Sequence, residues 1–289
     1  MKAIMYHYVR EYNSDMPNFR FLDVENFRKQ LLYFREEYGF VTKDEWVDFV
    51  RIGKMPEKEG KVILTFDDAM SCHYDYVFPE LMKQKLWGIF YVPTSPYFER
   101  NILDVHRIHL LCGAFDGEDL LTLAMDLISD EMIPDIKKEE FRDRTYTTQK
   151  NYAGVSDFKR LLNYFISYKY RSQVLDKIES ELFCNFDFKD FYVSLNSLLE
   201  MKNNGMVIGS HSVSHPVMSK LNYQDQSQEL QESFAALDGL IDQRAITYCH
   251  PYGGRHSFDN NTIEILNKLD VAYSFMVDPR EIIAEDFVL

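Results

Sequence analysis

Short apolar runs alternate along the chain with longer segments in which apolar residues recur at helical spacing. The apolar runs predict strands at 3–8, 62–66, 87–92, 206–208, 245–248 and 271–275. The helical spacing predicts helices at 24–38, 44–51, 74–85, 193–203, 223–242 and 258–269. This alternation indicates a largely parallel sheet, and the number of units suits an α/β fold, a distorted or incomplete (β/α) barrel of about seven strands.

The predicted helices begin and end at residues with suitable capping chemistry. Asp23, Thr42, Asn222 and Ser257 precede helices and carry oxygens that accept hydrogen bonds from exposed N–H groups. Gly39 follows the first helix and tolerates the left-handed conformation of a C-terminal cap.

The pattern changes between residues 97 and 195, where amphipathic segments dominate and no convincing strand occurs. We therefore predict a barrel built from 1–96 and 196–289, interrupted by a helical insert at 97–195. An insert of this length can fold as a subdomain. A lid, a substrate-selecting wall and a dimerisation surface are equally compatible with its sequence.

Two adjacent carboxylates, Asp67 and Asp68, follow the buried strand predicted at 62–66. Like charges repel, and a buried carboxylate is costly unless it is paired or binds a metal. A solvated turn is the other interpretation of these two residues.

A pair of histidines, His211 and His215, follows the short strand predicted at 206–208. Two histidines four residues apart can share one face of a helical turn and chelate one ion. Together with a carboxylate from another strand end they would form a site of two histidines and one carboxylate, with open coordination positions. In a (β/α) barrel such groups gather where strands end.

The segments 65–68 (Thr-Phe-Asp-Asp), 211–216 (His-Ser-Val-Ser-His-Pro) and 249–253 (Cys-His-Pro-Tyr-Gly) resemble, in this order, the three motifs of the polysaccharide deacetylase family. This family is the NodB homology domain of carbohydrate esterase family 4. The resemblance covers about 1–98 and 195–289, and it implies a NodB-type barrel and a metal-dependent hydrolase.

The resemblance also implies a role for each matched residue. Asp68, His211 and His215 would bind one divalent metal, with Zn the first expectation and Co, Ni, Mn or Fe as alternatives. Asp67 would be the general base. Pro251, Tyr252 and Gly253 would contact substrate, with Tyr252 offering a backbone N–H to the oxyanion.

The chain departs from the family at two positions. Cys249 stands where many relatives have an arginine that contacts the base, and Arg255 and Arg280 are weak candidates to replace it. No histidine follows Val271, where many relatives have the general acid. His7 instead resembles the early histidine of relatives with permuted motif order, and we predict that it protonates the leaving amine. A hydrogen-bonded core histidine is the alternative.

Other residues have weaker functional patterns. His106 and His109 are three residues apart on an insert helix, but a metal site needs three or four ligands, so a partly solvated helix face is the simpler interpretation. His73 is predicted to line the mouth of the site, and His250 and His256 flank the third motif. Tyr97 or Tyr252 would be suitable to stack on a sugar ring.

Composition limits the partners and the compartment. The 289 residues are 46% hydrophobic and 15% aromatic, as in globular proteins, and the net charge of −14 argues against nucleic acid and anionic membranes as partners. The N-terminus lacks the apolar core of a signal peptide, and no segment approaches the length of a membrane span. The four scattered cysteines suggest reduced thiols, so we predict a cytoplasmic protein.

These observations lead to one functional hypothesis and its rivals. We predict hydrolysis of the N-acetyl group of an amino sugar, in a glycan or a nucleotide- or lipid-linked precursor for cell-surface glycans, with release of acetate. A neutral chito-oligosaccharide is the second substrate class. The rivals are a deacylase of another amide or of an O-acetyl ester, and a catalytically silent carbohydrate-binding protein on the same fold. Assembly as a homo-oligomer stays open.

Overall fold

The computed structural model describes residues 1–134, 138–147, 149–189 and 191–287. The chain divides into two compact units. The first contains Met1–Tyr12, Phe21–Arg100 and Lys189–Leu289, and the second contains Asn13–Arg20 and Asn101–Phe188. The insert predicted at 97–195 overlaps the second unit, and its role stays a prediction.

A parallel sheet organises the first unit. The strands are β1 (Lys2–Tyr6), β2 (Val9–Arg10), β3 (Leu22–Asp23), β4 (Val62–Phe66), β5 (Ile89–Val92), β6 (Val207–Ser210), β7 (Thr247–Cys249) and β8 (Tyr273–Phe275). Six of them form one sheet in the order β1-β4-β5-β6-β7-β8, with every neighbouring pair parallel, while β2 and β3 form a separate parallel pair. The predicted incomplete (β/α) barrel is confirmed, with six strands in the main sheet instead of about seven.

Helices connect these strands and fill the second unit. They are α1 (Val24–Glu37), α2 (Lys43–Ile52), α3 (Phe78–Gln84), α4 (Ser95–Glu99), α5 (Asp104–Ala114), α6 (Gly117–Leu127), α7 (Lys138–Arg144), α8 (Val155–Arg160), α9 (Tyr168–Glu181), α10 (Leu195–Asn203), α11 (Tyr223–Ala236) and α12 (Asn260–Lys268). A π-helical turn, His73–Val77, precedes α3 where the sequence predicted one continuous α-helix. None of the described helices is long and apolar enough to cross a membrane.

Side-chain caps begin several of these helices as predicted. The Asp23 carboxylate accepts from two N–H groups at the start of α1, and Thr42 forms a reciprocal capping box with Glu45 at the start of α2. The prediction for Ser257 is wrong. Asp259 caps α12, because the Ser257 hydroxyl donates to the carbonyl of Gly254 instead.

Apolar side chains cover both faces of the six-stranded sheet, as a parallel sheet requires. Along β4, Leu64 and Phe66 pack on one face, and Ile63 packs on the other with Trp46 and Phe275. All five residues of β4 are buried. The backbone N–H of Asp67 still donates to the carbonyl of Tyr6 on β1, so the acidic pair that follows β4 begins in a fixed position.

The second unit is helical in its described residues. Its apolar core is contributed by α5, α6, α8, the π-helical turn Leu161–Phe165 and α9. Phe158, Leu162 and Leu175 are fully buried in this core. The unit therefore has a hydrophobic centre of its own.

Candidate active site

Three potential metal ligands meet at the carboxyl ends of β4 and β6. Asp68 Oδ1 lies 3.5 Å from His211 Nε2 and 3.4 Å from His215 Nε2. One ligand atom from each residue lies within 4.8 Å of the others, and all three side chains are buried. Within the described residues this is the one cluster of three or more His, Cys, Asp or Glu side chains with such spacing.

The chemistry of these three atoms fits a cation. His211 Nδ1 lies 2.7 Å from the carbonyl oxygen of Cys249, and a carbonyl can only accept, so Nδ1 carries the proton. In the neutral form of this ring, the lone pair of His211 Nε2 is then directed at the Asp68 carboxylate. Acceptors that face one another in a buried place repel, and a bound cation removes that repulsion.

The backbone around the ligands has an unusual conformation. Asp68, Ser212, His215 and Tyr252 all have positive φ angles, from 55° to 80°. Such angles are sparsely populated by residues other than glycine and gather at functional sites. The segment from His211 to His215 is an irregular loop, so the predicted helical turn is wrong, although the two histidines do converge.

Asp67 lies beside the ligand cluster in a nearly water-free position. Its side chain is buried, Oδ2 accepts a hydrogen bond from Cys249 Sγ at 3.5 Å, and Oδ1 has no hydrogen-bond partner among the described residues. Burial raises the pKa of Asp67 above its ordinary value, and the neighbouring histidines only partly oppose this. A carboxylate with a raised pKa is a stronger base than one in water.

The predicted arginine partners of Asp67 bind elsewhere. Arg255 pairs with Asp278 at 3.3 Å, and Arg280 pairs with Asp278 and Asp286 at 3.1 and 2.7 Å. Cys249 occupies the position next to the carboxylate instead. Burial holds the pKa of its thiol well above the usual range, so it is a neutral hydrogen-bond donor to Asp67.

His7 follows β1 and lies at the edge of the same cluster. Its Nε2 is 3.7 Å from Asp68 Oδ2, the carboxylate oxygen that does not face the other two histidines, and about a third of its side chain is exposed. The structure thus brings His7 to the site, and a position open to water suits exchange of a proton with substrate. Its role as general acid stays a prediction.

The third motif forms a tight turn against the ligands. The Tyr252 ring packs edge-on against His215, with ring centres 4.9 Å apart. Gly253 has a φ of 68°, and its N–H donates to the carbonyl of His250. Pro251 has no N–H, so neither of these two residues directs a backbone donor at a substrate. The oxyanion role of Tyr252 stays a prediction.

Two residues near the site were not predicted to support it. Glu229 on α11 accepts hydrogen bonds from the N–H groups of Val213 and Ser214, both at 2.9 Å, and from the Ser214 hydroxyl at 2.5 Å. His73, predicted to line the mouth, is buried, and its Nε2 donates to the carbonyl oxygen of His7 at 2.6 Å. Neither contact joins residues that are near in sequence, so no spacing pattern signals it.

The remaining histidines have structural surroundings. His250 stacks on Phe258 with ring centres 3.9 Å apart, and burial lowers the pKa of its imidazole to about 3. His106 is fully buried, so the predicted solvated face is wrong for this residue. His106 and His109 join no cluster of three ligands among the described residues.

Tyr97 is fixed by the fold, since its hydroxyl donates to the carbonyl of Val193. The prediction that its ring stacks on a sugar stays a prediction. The Ser219 hydroxyl donates to the carbonyl of His256, so the backbone of His256 has a structural contact.

The family resemblance is confirmed by comparison with known proteins. Residues 183–274 match a family model described as polysaccharide deacetylase. The matched segment contains both ligand histidines and the third motif, while Asp67 and Asp68 precede it. The family that this segment matches is one of hydrolases. No curated protein matches the sequence.

Solved structures agree with the fold over most of the chain. A deacetylase from Streptococcus pyogenes, PplD in complex with acetate, is 18% identical with a TM-score of 0.56, covering 96% of this chain and 83% of that one. IcaB from Ammonifex degensii is 17% identical with a TM-score of 0.55, covering 95% and 82%. A de-N-acetylase from Aggregatibacter actinomycetemcomitans is 14% identical with a TM-score of 0.50, covering 96% and 88%. At these identities the likeness concerns the fold.

Proposed function

We propose that the protein is a metal-dependent deacetylase that hydrolyses the N-acetyl group of an amino sugar. The observation that carries this proposal is the buried Asp67 carboxylate beside the converging Asp68, His211 and His215. A pure binding site has no need of a base next to a complete set of ligands. The names of two solved neighbours, a deacetylase and a de-N-acetylase, support the same reaction.

Asp68, His211 and His215 would hold one divalent cation. When bound, a cation of this kind supplies Lewis acidity that polarises a carbonyl group and lowers the pKa of water. Zn suits the ligand set best, with Co, Ni, Mn and Fe as alternatives. His211 is prepared for this role because the Cys249 carbonyl fixes its tautomer.

The chain's own groups would move the protons. Asp67 accepts a proton from the attacking water while the water oxygen bonds to the acetyl carbon. His7, at the exposed edge of the site, donates a proton to the sugar nitrogen as the C–N bond breaks. The products are acetate and a free amine. Tyr252, packed on His215, would face the oxyanion.

The substrate class follows from weaker observations. We favour a nucleotide- or lipid-linked N-acetylated sugar used in cell-surface glycan synthesis, with a chito-oligosaccharide as the second class. The net charge of −14 requires a local basic surface for a charged carrier. A cytoplasmic location goes with the precursor hypothesis and stays a prediction.

The test compares wild type with Asp67→Asn. Acetate release is measured from free, polymeric and nucleotide-linked N-acetylated sugars, with zinc added to chelator-treated protein. We expect Asp67→Asn to lower kcat by about 10²–10⁴-fold while the bound zinc is unchanged, because the substitution removes a base and no ligand. Asp48→Asn is the matched control, because the Asp48 side chain on α2 is 47% exposed, and it should behave as wild type.

Two outcomes contradict the proposal. If Asp67→Asn releases acetate at the wild-type rate, Asp67 is not the base. If wild type binds zinc but releases acetate from no N-acetylated sugar, the second candidate gains support, a silent carbohydrate-binding protein. The replacement of the family arginine by Cys249, in contact with Asp67, is the specific observation that favours this candidate.

A further inference from the structure

The loop between the two ligand histidines is held in a costly conformation. Ser212 and His215 have φ angles of 65° and 55°, in the left-handed region. Such angles are unfavourable for residues other than glycine unless the surroundings compensate. A loop that relaxed toward ordinary angles would move the His215 imidazole away from Asp68.

Every backbone N–H from His211 to His215 donates a hydrogen bond, and these bonds maintain the conformation of the loop. The N–H of His211 donates to Val92 on β5, that of Ser212 to the Ser210 hydroxyl, and that of His215 to the Ser212 hydroxyl. The two N–H groups in between, from Val213 and Ser214, both donate to Glu229 Oε2. Among the described residues, Glu229 is thus the one group outside the strand ends and the loop that accepts from these donors.

Helix α11 presents two of its residues to the loop. Glu229 and Ser233 are one helical turn apart and lie on the same face. Ser233 Oγ contacts the Ser210 hydroxyl at 2.7 Å and donates to the carbonyl of Ser212 at 3.0 Å. The helix therefore holds the loop at its start through Ser233 and at its centre through Glu229.

We propose that Glu229 is a positioning residue of the metal site, whose carboxylate fixes the loop between His211 and His215 so that both imidazoles converge on Asp68. This inference rests on the proposed function, because it requires that the three ligands hold a cation. Glu229 would act through its hydrogen bonds to Val213 and Ser214, which lie between the two ligand histidines. Its effect is on ligand geometry, and it should therefore change the affinity for metal in protein that is fully folded.

The hydrogen-bond pattern distinguishes geometry from charge. In Glu229→Gln, the amide oxygen can still accept from both backbone N–H groups, and its NH₂ can donate to the Ser214 hydroxyl. Glu229→Asp keeps the negative charge but is one methylene shorter, so it cannot reach all three donors. A positioning role predicts that Gln retains metal affinity and Asp loses it, whereas a purely electrostatic role predicts the reverse.

The experiment measures zinc affinity by competition with a chromophoric chelator, and the visible spectrum of the Co(II) form, on the full chain. We expect Glu229→Ala and Glu229→Asp to raise the zinc dissociation constant by about 10–100-fold and to alter the Co(II) spectrum, as loss of an outer hydrogen bond to a metal site does. Glu229→Gln should stay within about tenfold of wild type. Glu232→Ala, on the exposed face of α11, is the matched control.

The outcomes separate this inference from the proposed function. If wild type binds zinc and the Ala and Asp variants bind it equally well with an unchanged Co(II) spectrum, the positioning role is wrong, even if the variants melt earlier. If the Ala variant does not fold, the contrast between Gln and Asp decides, and equal affinities overturn the inference. If wild type itself binds no zinc, the proposed metal site is wrong, and the positioning role of Glu229 is wrong with it.

Discussion

The two units each contain a cluster of charged or titratable side chains, and the clusters differ in how their charges are matched. In the second unit, Arg107 donates to Glu179 and Asp176, both at 2.7 Å, and to Asp104 at 3.3 Å. Arg171 Nε donates to the other oxygen of Asp104 at 3.0 Å. Here guanidinium groups face carboxylates, so opposite charges are paired without any ligand.

In the first unit, three potential metal ligands face one another. The Asp68 carboxylate is approached by His211 Nε2 and His215 Nε2, and Asp67 adds a second carboxylate next to it. The difference teaches that burial of charge does not by itself mark a functional site. A buried cluster of potential ligands that is stable only with a bound cation is the better indication of a functional site. The predictions below probe this contrast, from the largest expected effect to the smallest.

The largest effect should come from Asp68→Ala. Removing the carboxylate leaves two imidazoles, so we expect zinc affinity to fall by more than the roughly 100-fold that an outer hydrogen bond contributes. Acetate release should fall with it. The measurement is zinc per chain after dialysis against a fixed free zinc concentration, with Asp48→Ala as control. Full zinc content in Asp68→Ala would show that the ligands lie elsewhere.

The opposite pattern is expected in the second unit for Arg107→Leu. This variant leaves Glu179 and Asp104 partly buried without one of their cations, which should lower the free energy of unfolding by about 3 kcal/mol. Zinc binding should not change. Urea denaturation and zinc titration of the same protein test both halves of the statement. A loss of zinc without a loss of stability would contradict the contrast between the two clusters.

The third prediction concerns pH and His73. Burial lowers the pKa of His73 to about 4, against about 6.5 in an unfolded chain. Between these values the unfolded chain binds more protons than the folded chain. The contribution of the neutral, buried His73 to stability is therefore fully present above pH 6.5, and it falls as the pH drops toward 4, by up to about 1.4 kcal/mol per pH unit.

His73→Gln keeps a donor for the His7 carbonyl and removes this titration. The slope of the free energy of unfolding against pH reports how many more protons the unfolded chain binds than the folded chain. We expect this number to be smaller by about one in His73→Gln than in wild type. Urea denaturation of both proteins at pH 7.5, 6 and 5 measures the difference. Identical slopes would mean that His73 is protonated in the folded state.

The smallest effect should come from Cys249. Cys249→Ala removes the donor to Asp67 Oδ2, whereas Cys249→Ser replaces it with a hydroxyl. A hydrogen bond of this kind is worth about 1 kcal/mol, so we expect kcat to change by less than about tenfold in Ala and to recover in Ser. Equal rates in all three proteins would show that the thiol only fills space beside the base.

The sequence predicted elements whose determinants are local. The strand at Val62–Phe66 has the predicted bounds, and the caps at Asp23 and Thr42 form as expected, because each depends on residues within a few positions. Predictions failed where more than one residue could begin or end a helix. Asp259 caps α12 in place of Ser257, and α11 ends at Ala236, not near residue 242.

The site shows the same division. Asp67, Asp68, His211 and His215 were predictable because parallel strands end at one edge, so residues that follow them meet. The contacts of Glu229 with the loop and of His73 with His7 were not, since they join segments that no periodicity relates. The arginine candidates failed because acidic neighbours in their own segment, Asp278 among them, bind them first.

The most direct test of the central claim is a zinc titration of chelator-treated wild-type protein, with acetate release from an N-acetylated sugar as the signal. We expect no release without metal, and a rate that rises with zinc and saturates at one ion per chain, because one Asp–His–His cluster is described. Acetate release that does not depend on added metal would contradict the claim that these acceptors form a metal centre.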